Sequence, residues 1–121
     1  MNVRRWRPPA IWAAFILLLT SVPGAAIPHV GFRLTDKVAH TTMYAIFAWL
    51  AARSMLRSGK PARYILLVVV GIAIFGAADE WHQQFIPGRS MELLDWIADT
   101  TGATLGAVTA MMVSLRERRE A

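Results

Sequence analysis

Tyr64–Ala78, with the sequence YILLVVVGIAIFGAA, runs directly into Asp79-Glu80-Trp81-His82-Gln83-Gln84-Phe85-Ile86-Pro87-Gly88-Arg89, and the fold turns on how this junction is read. The first part offers no polar face on which a helix of a soluble domain could meet water. An apolar run of this kind, ending in a dense group of ionisable side chains, reads as a membrane helix leaving the hydrocarbon. An isolated Asp, Lys or Arg at the centre of a span costs about 2.5 to 3.5 kcal/mol, so charges beside such a segment face a protein interior or a polar cavity and mark a working site.

Composition points the same way. The 121 residues are 55% hydrophobic and 17% charged, with a mean hydropathy of +0.40, against about 25% charged residues in an average soluble domain. One small membrane domain spanning 1–121 accounts for this. No internal repeat, low-complexity tract or separating linker divides the chain. Cysteine is absent, which excludes disulfides and thiolate metal sites and leaves the redox compartment open. The net charge of +5 does not indicate nucleic acid, because the basic residues gather at the ends of apolar segments, where membrane topology puts them.

Four apolar segments predict an all-α, polytopic membrane protein with four transmembrane helices, at about 9–22, 38–56, 63–85 and 93–115. A span needs about 20 residues, so the first is short, and the last two reach full length only by including acidic residues at one end. Arg4, Arg5, Arg7, Arg53, Arg57, Lys60, Arg63, Arg116, Arg118 and Arg119 flank one set of helix ends, whereas the other connections hold only Arg33, Lys37 and Arg89. The positive-inside rule then places both termini in the cytoplasm and two loops outside, with Trp6 and Trp96 near opposite interfaces. The first segment also admits a second reading. Basic residues, an apolar stretch and Gly24-Ala25-Ala26 resemble a cleavable signal peptide, whose removal would leave three spans.

With this topology the polar residues collect in the outer half. Asp36, Lys37 and His40 enter the second helix; Asp79, Glu80, His82, Gln83 and Gln84 leave the third; Asp95 and Asp99 enter the fourth. Asp36 and His40, Asp79 and Gln83, Glu80 and Gln84, and Asp95 and Asp99 are pairs at i and i+4, each on one helix face. Asp95, Asp99, Gly102 and Gly106 share a face, and the G-x-x-x-G step suits close helix packing, so the acids point toward a neighbouring helix. Thr35 or Asp36 is also well placed to cap the second helix. Pro87-Gly88 predicts a turn with positive φ available at glycine, making the last two helices a tight antiparallel pair. Arg89 would then lie beside the acids, either locking the turn as an ion pair or holding an anionic ligand bidentately.

The blocks Asp36-Lys37-Val38-Ala39-His40, Asp79-Glu80-Trp81-His82-Gln83, Phe85-Ile86-Pro87-Gly88-Arg89-Ser90 and Asp95-Trp96-Ile97-Ala98-Asp99, with Gly102 and Gly106, resemble the pattern of VanZ-like membrane proteins. The exit of the first helix, Thr20-Ser21-Val22-Pro23-Gly24, is similar to theirs too, so the likeness extends from about Ser21 to Gly106. At Asp99 the chain carries an acid where the family often has asparagine. The resemblance implies a multi-pass protein of the bacterial cytoplasmic membrane, and its founding member is associated with low-level resistance to the glycopeptide teicoplanin. It implies no reaction.

The candidate polar site is therefore Asp36, His40, Asp79, Glu80, His82, Gln83, Arg89, Asp95 and Asp99, with Gly102 and Gly106 as helix-packing positions. Facing outward, it would bind or alter a lipid-linked or amphiphilic envelope component. A membrane enzyme is the alternative, with His40 or His82 as general base and Glu80 as general acid, although no H-E-x-x-H, G-x-S-x-G or P-loop specifies a reaction class. A non-catalytic assembly subunit, packed through the Gly102 and Gly106 face, is a third reading. His40, His82, Glu80, Asp95 and Asp99 include metal-ligand types, but an interhelical network in which His and Gln satisfy Asp and Glu is the favoured account of them, and no metal or cofactor is predicted. The expected partner is the lipid bilayer, with no nucleic acid; the oligomeric state is not encoded legibly.

Overall fold

Residues 2–26 and 33–121 are described by a computed structural model, in which the chain is all-helical, with four long helices and no strand among the described residues. Helix α1, Arg7–Thr20, opens on Pro8-Pro9, whose fixed φ suits a first turn and whose missing N–H groups would be unbonded there anyway. It follows a 3-10 turn, Val3–Trp6, where the Asn2 side chain accepts from the Arg4 N–H at 3.2 Å. Helix α2 is Arg33–Arg57, helix α3 is Ile65–Gln83 after a 3-10 turn at Ala62–Tyr64, and helix α4 is Leu93–Glu120. Gly59, at φ 79°, and Gly88, at φ 74°, take the left-handed conformation in the two connections.

Helix α2 begins five residues before the expected 38, so Thr35 and Asp36 lie inside its first turns rather than at its N-cap. Asp36 still finds favourable electrostatics there, because the unsatisfied N–H groups of a first turn attract negative charge as a cap does. Helix α4 continues past the expected 115 to Glu120. Its extension is polar and carries Glu117, whose carboxylate receives both arms of Arg53, at 2.8 and 2.9 Å. This pairing holds the exposed Glu117 carboxyl below the usual glutamate range.

Helices α2 and α4 run parallel and make the most extensive interface. Lys37 pairs with Asp95, His40 with Asp99 and Arg53 with Glu117, in that order along both helices. Between these pairs the backbones nearly touch. A side-chain carbon added at Gly102 would overlap the carbonyl of Thr41, and one at Gly106 would overlap that of Ala45. The face of Gly102 and Gly106 is thus filled by α2 of the same chain. Helix α3 lies against α4, where the Trp96 indole donates to the Ala73 carbonyl at 2.8 Å, and α1 lies against α2, where Trp12 donates to Met43 at 2.9 Å.

Burial is inverted with respect to a water-soluble helix. On α3 the exposed side chains include Leu66, Leu67, Val70, Ile74 and Trp81, while Asp79, Glu80 and Gln83 are buried. The stretch Ala62–Gln83, 22 residues with mean hydropathy 1.9, is long and apolar enough to cross a membrane, and it alone among the described helices meets that test. Tyr44, Phe47 and Phe75 form an aromatic layer with ring centroids 5.1 to 6.4 Å apart. The layer lies next to the buried acids, with the Tyr44 hydroxyl reaching Asp79.

Candidate functional site

The acidic ends of α2, α3 and α4 meet the end of α1, and each buried carboxylate there has identifiable partners. On α3, Asp79 is held by three donors. Thr20 of α1 donates to Oδ1 at 2.7 Å, while Tyr44 of α2 and Gln83 donate to Oδ2 at 3.3 and 3.5 Å. Gln83 also donates to Glu80 Oε1 at 3.3 Å, and the backbone N–H of Glu92 donates to Glu80 Oε2 at 3.0 Å. A buried carboxylate without such donors would be strongly disfavoured, so the network is a condition for the acids being here at all.

Between α2 and α4 the arrangement centres on His40. Its Nδ1 lies 2.8 Å from Asp99 Oδ1, and because an ionised carboxylate only accepts, the ring proton belongs on Nδ1. Nε2 then points between Asp95 Oδ2, at 3.8 Å, and Asp36 Oδ1, at 3.9 Å. Lys37 occupies the far side of both acids. It pairs with Asp95 Oδ1, stands 3.6 Å from Asp36 Oδ2, and donates to Glu92 Oε2 at 3.0 Å. Asp99 is completely buried, and its second oxygen has no hydrogen-bond partner among the described residues. Glu80 also approaches this centre, since one potential ligand atom from each of His40, Glu80 and Asp99 falls within 4.8 Å of the others.

Asp36, His40, Asp95 and Asp99 therefore assemble, Asp79, Glu80 and Gln83 form an adjoining group, and His82 lies at the edge, half-exposed, with Nδ1 4.0 Å from Asp79 Oδ1. Arg89 takes another course. Its Nε donates to the Val22 carbonyl at 3.0 Å and Nη2 to Leu19 at 3.1 Å, so the guanidinium closes the end of α1 rather than folding back over its own acids. The last carbonyls of a helix lack intrahelical donors, and a cation there also meets the negative end of the helix dipole. Gly24 and Gly88 bring the two connections together, with the Gly24 N–H donating to the Pro87 carbonyl at 2.8 Å. A side-chain carbon on Gly24 would overlap the Gly88 carbonyl.

Thr20, Lys37, Tyr44 and Glu92 belong to the site although sequence reasoning did not place them in it. Lys37 had a signal, since it lies next to Asp36 at the polar end of its helix. Tyr44 is one turn beyond His40 on the same face of α2, but an aromatic residue at that spacing is ordinarily core.

The four long helices thus make a bundle that is apolar outside and acid-rich inside at one end. The profile of the VanZ/LLP1 family matches residues 4–114, and the chain belongs to that family, whose members are generally membrane-associated. No curated protein and no solved structure matches it.

Proposed function

We propose that this is a four-span protein of the bacterial cytoplasmic membrane, with both termini inside, that uses the polar end of its bundle to bind or alter an amphiphilic component of the cell envelope on the outer side. The observation that carries this reading is the burial of Asp79, Glu80, Asp95, Asp99 and His40 under a surface of exposed Leu, Ile and Val side chains. A soluble protein would reverse this order, and intramembrane ionisable residues of this kind ordinarily serve a ligand or proton path. The basic residues gather at the opposite end of the bundle, which supports the orientation. Thr20 and Trp12, bonded into α2 and α3, support α1 as a lasting member of the bundle rather than a removed leader.

An apolar groove of about 780 Å³ between α1, α2 and α3, lined by Trp6, Ala13, Phe47, Leu67, Ile72 and Phe75 among others, lies on the basic half of the bundle and is separated from the acids by the Phe47 and Phe75 layer. A membrane enzyme acting on a lipid or lipid-linked glycan is the second reading. It is favoured by the orientation of His40, whose Nε2 is left available by the bond from Nδ1 to Asp99.

Glu80→Gln and His40→Ala test both. The expected result is normal membrane abundance with a changed envelope-lipid profile or changed teicoplanin susceptibility. Unchanged lipids and susceptibility combined with loss of the protein from the membrane would reduce the cluster to a packing device and end this reading.

A further inference from the structure

The neighbourhood of His40 holds a geometry that hydrogen bonding leaves unexplained. Nε2 has no hydrogen-bond partner among the described residues, although the side chain is only 6% exposed and aims between two carboxylates. The two carboxylate oxygens stand at 3.8 and 3.9 Å from Nε2, beyond hydrogen-bond distance. Two atoms bonded to one Zn²⁺ ion at about 2.0 to 2.2 Å lie roughly 3.3 to 4.3 Å apart, depending on the angle at the metal. The two separations from Nε2 fall inside that interval, and the three potential ligand atoms of Asp36, His40 and Asp95 all lie within 4.8 Å of one another.

We propose that His40 Nε2, Asp36 Oδ1 and Asp95 Oδ2 form a divalent-cation site of the zinc or manganese type at the acidic end of the bundle. One imidazole with two carboxylates suits these ions, whereas purely oxygen-lined sites suit magnesium or calcium. The supporting contacts take the form that metal sites require. Asp99 Oδ1, 2.8 Å from Nδ1, holds the ring so that Nε2 faces the acids, as the carboxylate behind a metal-bound histidine does. Lys37 engages the opposite oxygen of each acid, which turns Oδ1 of Asp36 and Oδ2 of Asp95 toward His40. Asp36 is the exposed member, so three protein ligands leave a coordination position open on the solvent side for water or a ligand oxygen. Lys37 meets three carboxylates, those of Asp36, Asp95 and Glu92, so its one ammonium leaves negative charge over at this end of the bundle.

The test uses the full chain in detergent micelles, stripped with a chelator and titrated separately with Zn²⁺ and Mn²⁺, with bound metal and thermal unfolding both recorded. About one equivalent should bind and raise the unfolding temperature. Asp36→Asn should weaken binding at least tenfold, and Asp99→Asn about 10- to 100-fold. Asp36 is at the surface and its contacts among the described residues are to the side chains of Lys37 and His40, so Asp36→Asn should fold normally, which its metal-free melting curve checks. Glu117→Gln, at the far end of α4, should bind as the unmodified chain does. Absence of saturable binding, or binding that Asp36→Asn leaves unchanged or that Glu117→Gln abolishes, overturns the site. No envelope ligand enters the measurement, so its failure leaves the proposed function standing, and failure of the lipid and susceptibility assays leaves the metal site standing.

Discussion

Thr20 illustrates how much one hydroxyl can carry in this chain. It closes α1 and donates to Asp79 Oδ1 at 2.7 Å, with both residues buried. A hydrogen bond to a charged group contributes about 1.5 to 3 kcal/mol, and Thr20→Val keeps the shape while deleting the donor. Unfolding of this variant in micelles should show a loss of that size, and an unchanged melt would mean that Asp79 is satisfied without Thr20. Spacing in the sequence correctly put Asp36 with His40 and Asp95 with Asp99 on single helix faces, because helical periodicity alone dictates it. It could not tell which atoms meet across 59 residues, as His40 and Asp99 do. Proximity in sequence favoured an ion pair between Arg89 and the nearby acids, but its hydrogen bonds go to the carbonyls at the end of α1, acceptors that only the folded arrangement brings within reach.

Among elements, the parallel pair of α2 and α4 is the most demanding. Gly106→Ala forces a methyl group into the Ala45 carbonyl, and overpacking of this sort costs about 1 to 3 kcal/mol. Gly71→Ala is the matching control, since nothing lies within 4 Å of its added carbon, and alanine suits a helix interior better than glycine by about 0.5 to 1 kcal/mol. Melting curves should therefore move in opposite directions for the two variants, and equal behaviour would refute the close approach of α2 and α4. All four helices were legible from apolar runs, and α4 was recognised as carrying its acids and glycines on one packing face. The Pro87-Gly88 turn drew attention to α3 as the partner of α4, whereas the tightest contact is with α2, a helix not adjacent in sequence. Local turn chemistry announces which helices follow one another, not which of them pack most closely.

For the whole molecule, the proposed orientation makes a prediction that the composition renders unusually direct. The chain has no cysteine, so any introduced thiol is the sole target of a membrane-impermeant maleimide. Lys60→Cys and Ser90→Cys both fall at exposed positions in connections at opposite ends of the bundle. In intact cells Ser90→Cys should label and Lys60→Cys should label only after permeabilisation; the reverse pattern would invert the topology. The clasp between the two connections also bears on how the protein is made. Leu19, Val22 and Gly24 wait for Pro87 and Arg89, more than 60 positions downstream, so a nascent chain halted before that turn holds an unfinished first helix. The polar end is thus closed only by residues made after α3, and the pairing of Arg53 with Glu117 at the opposite end follows later still.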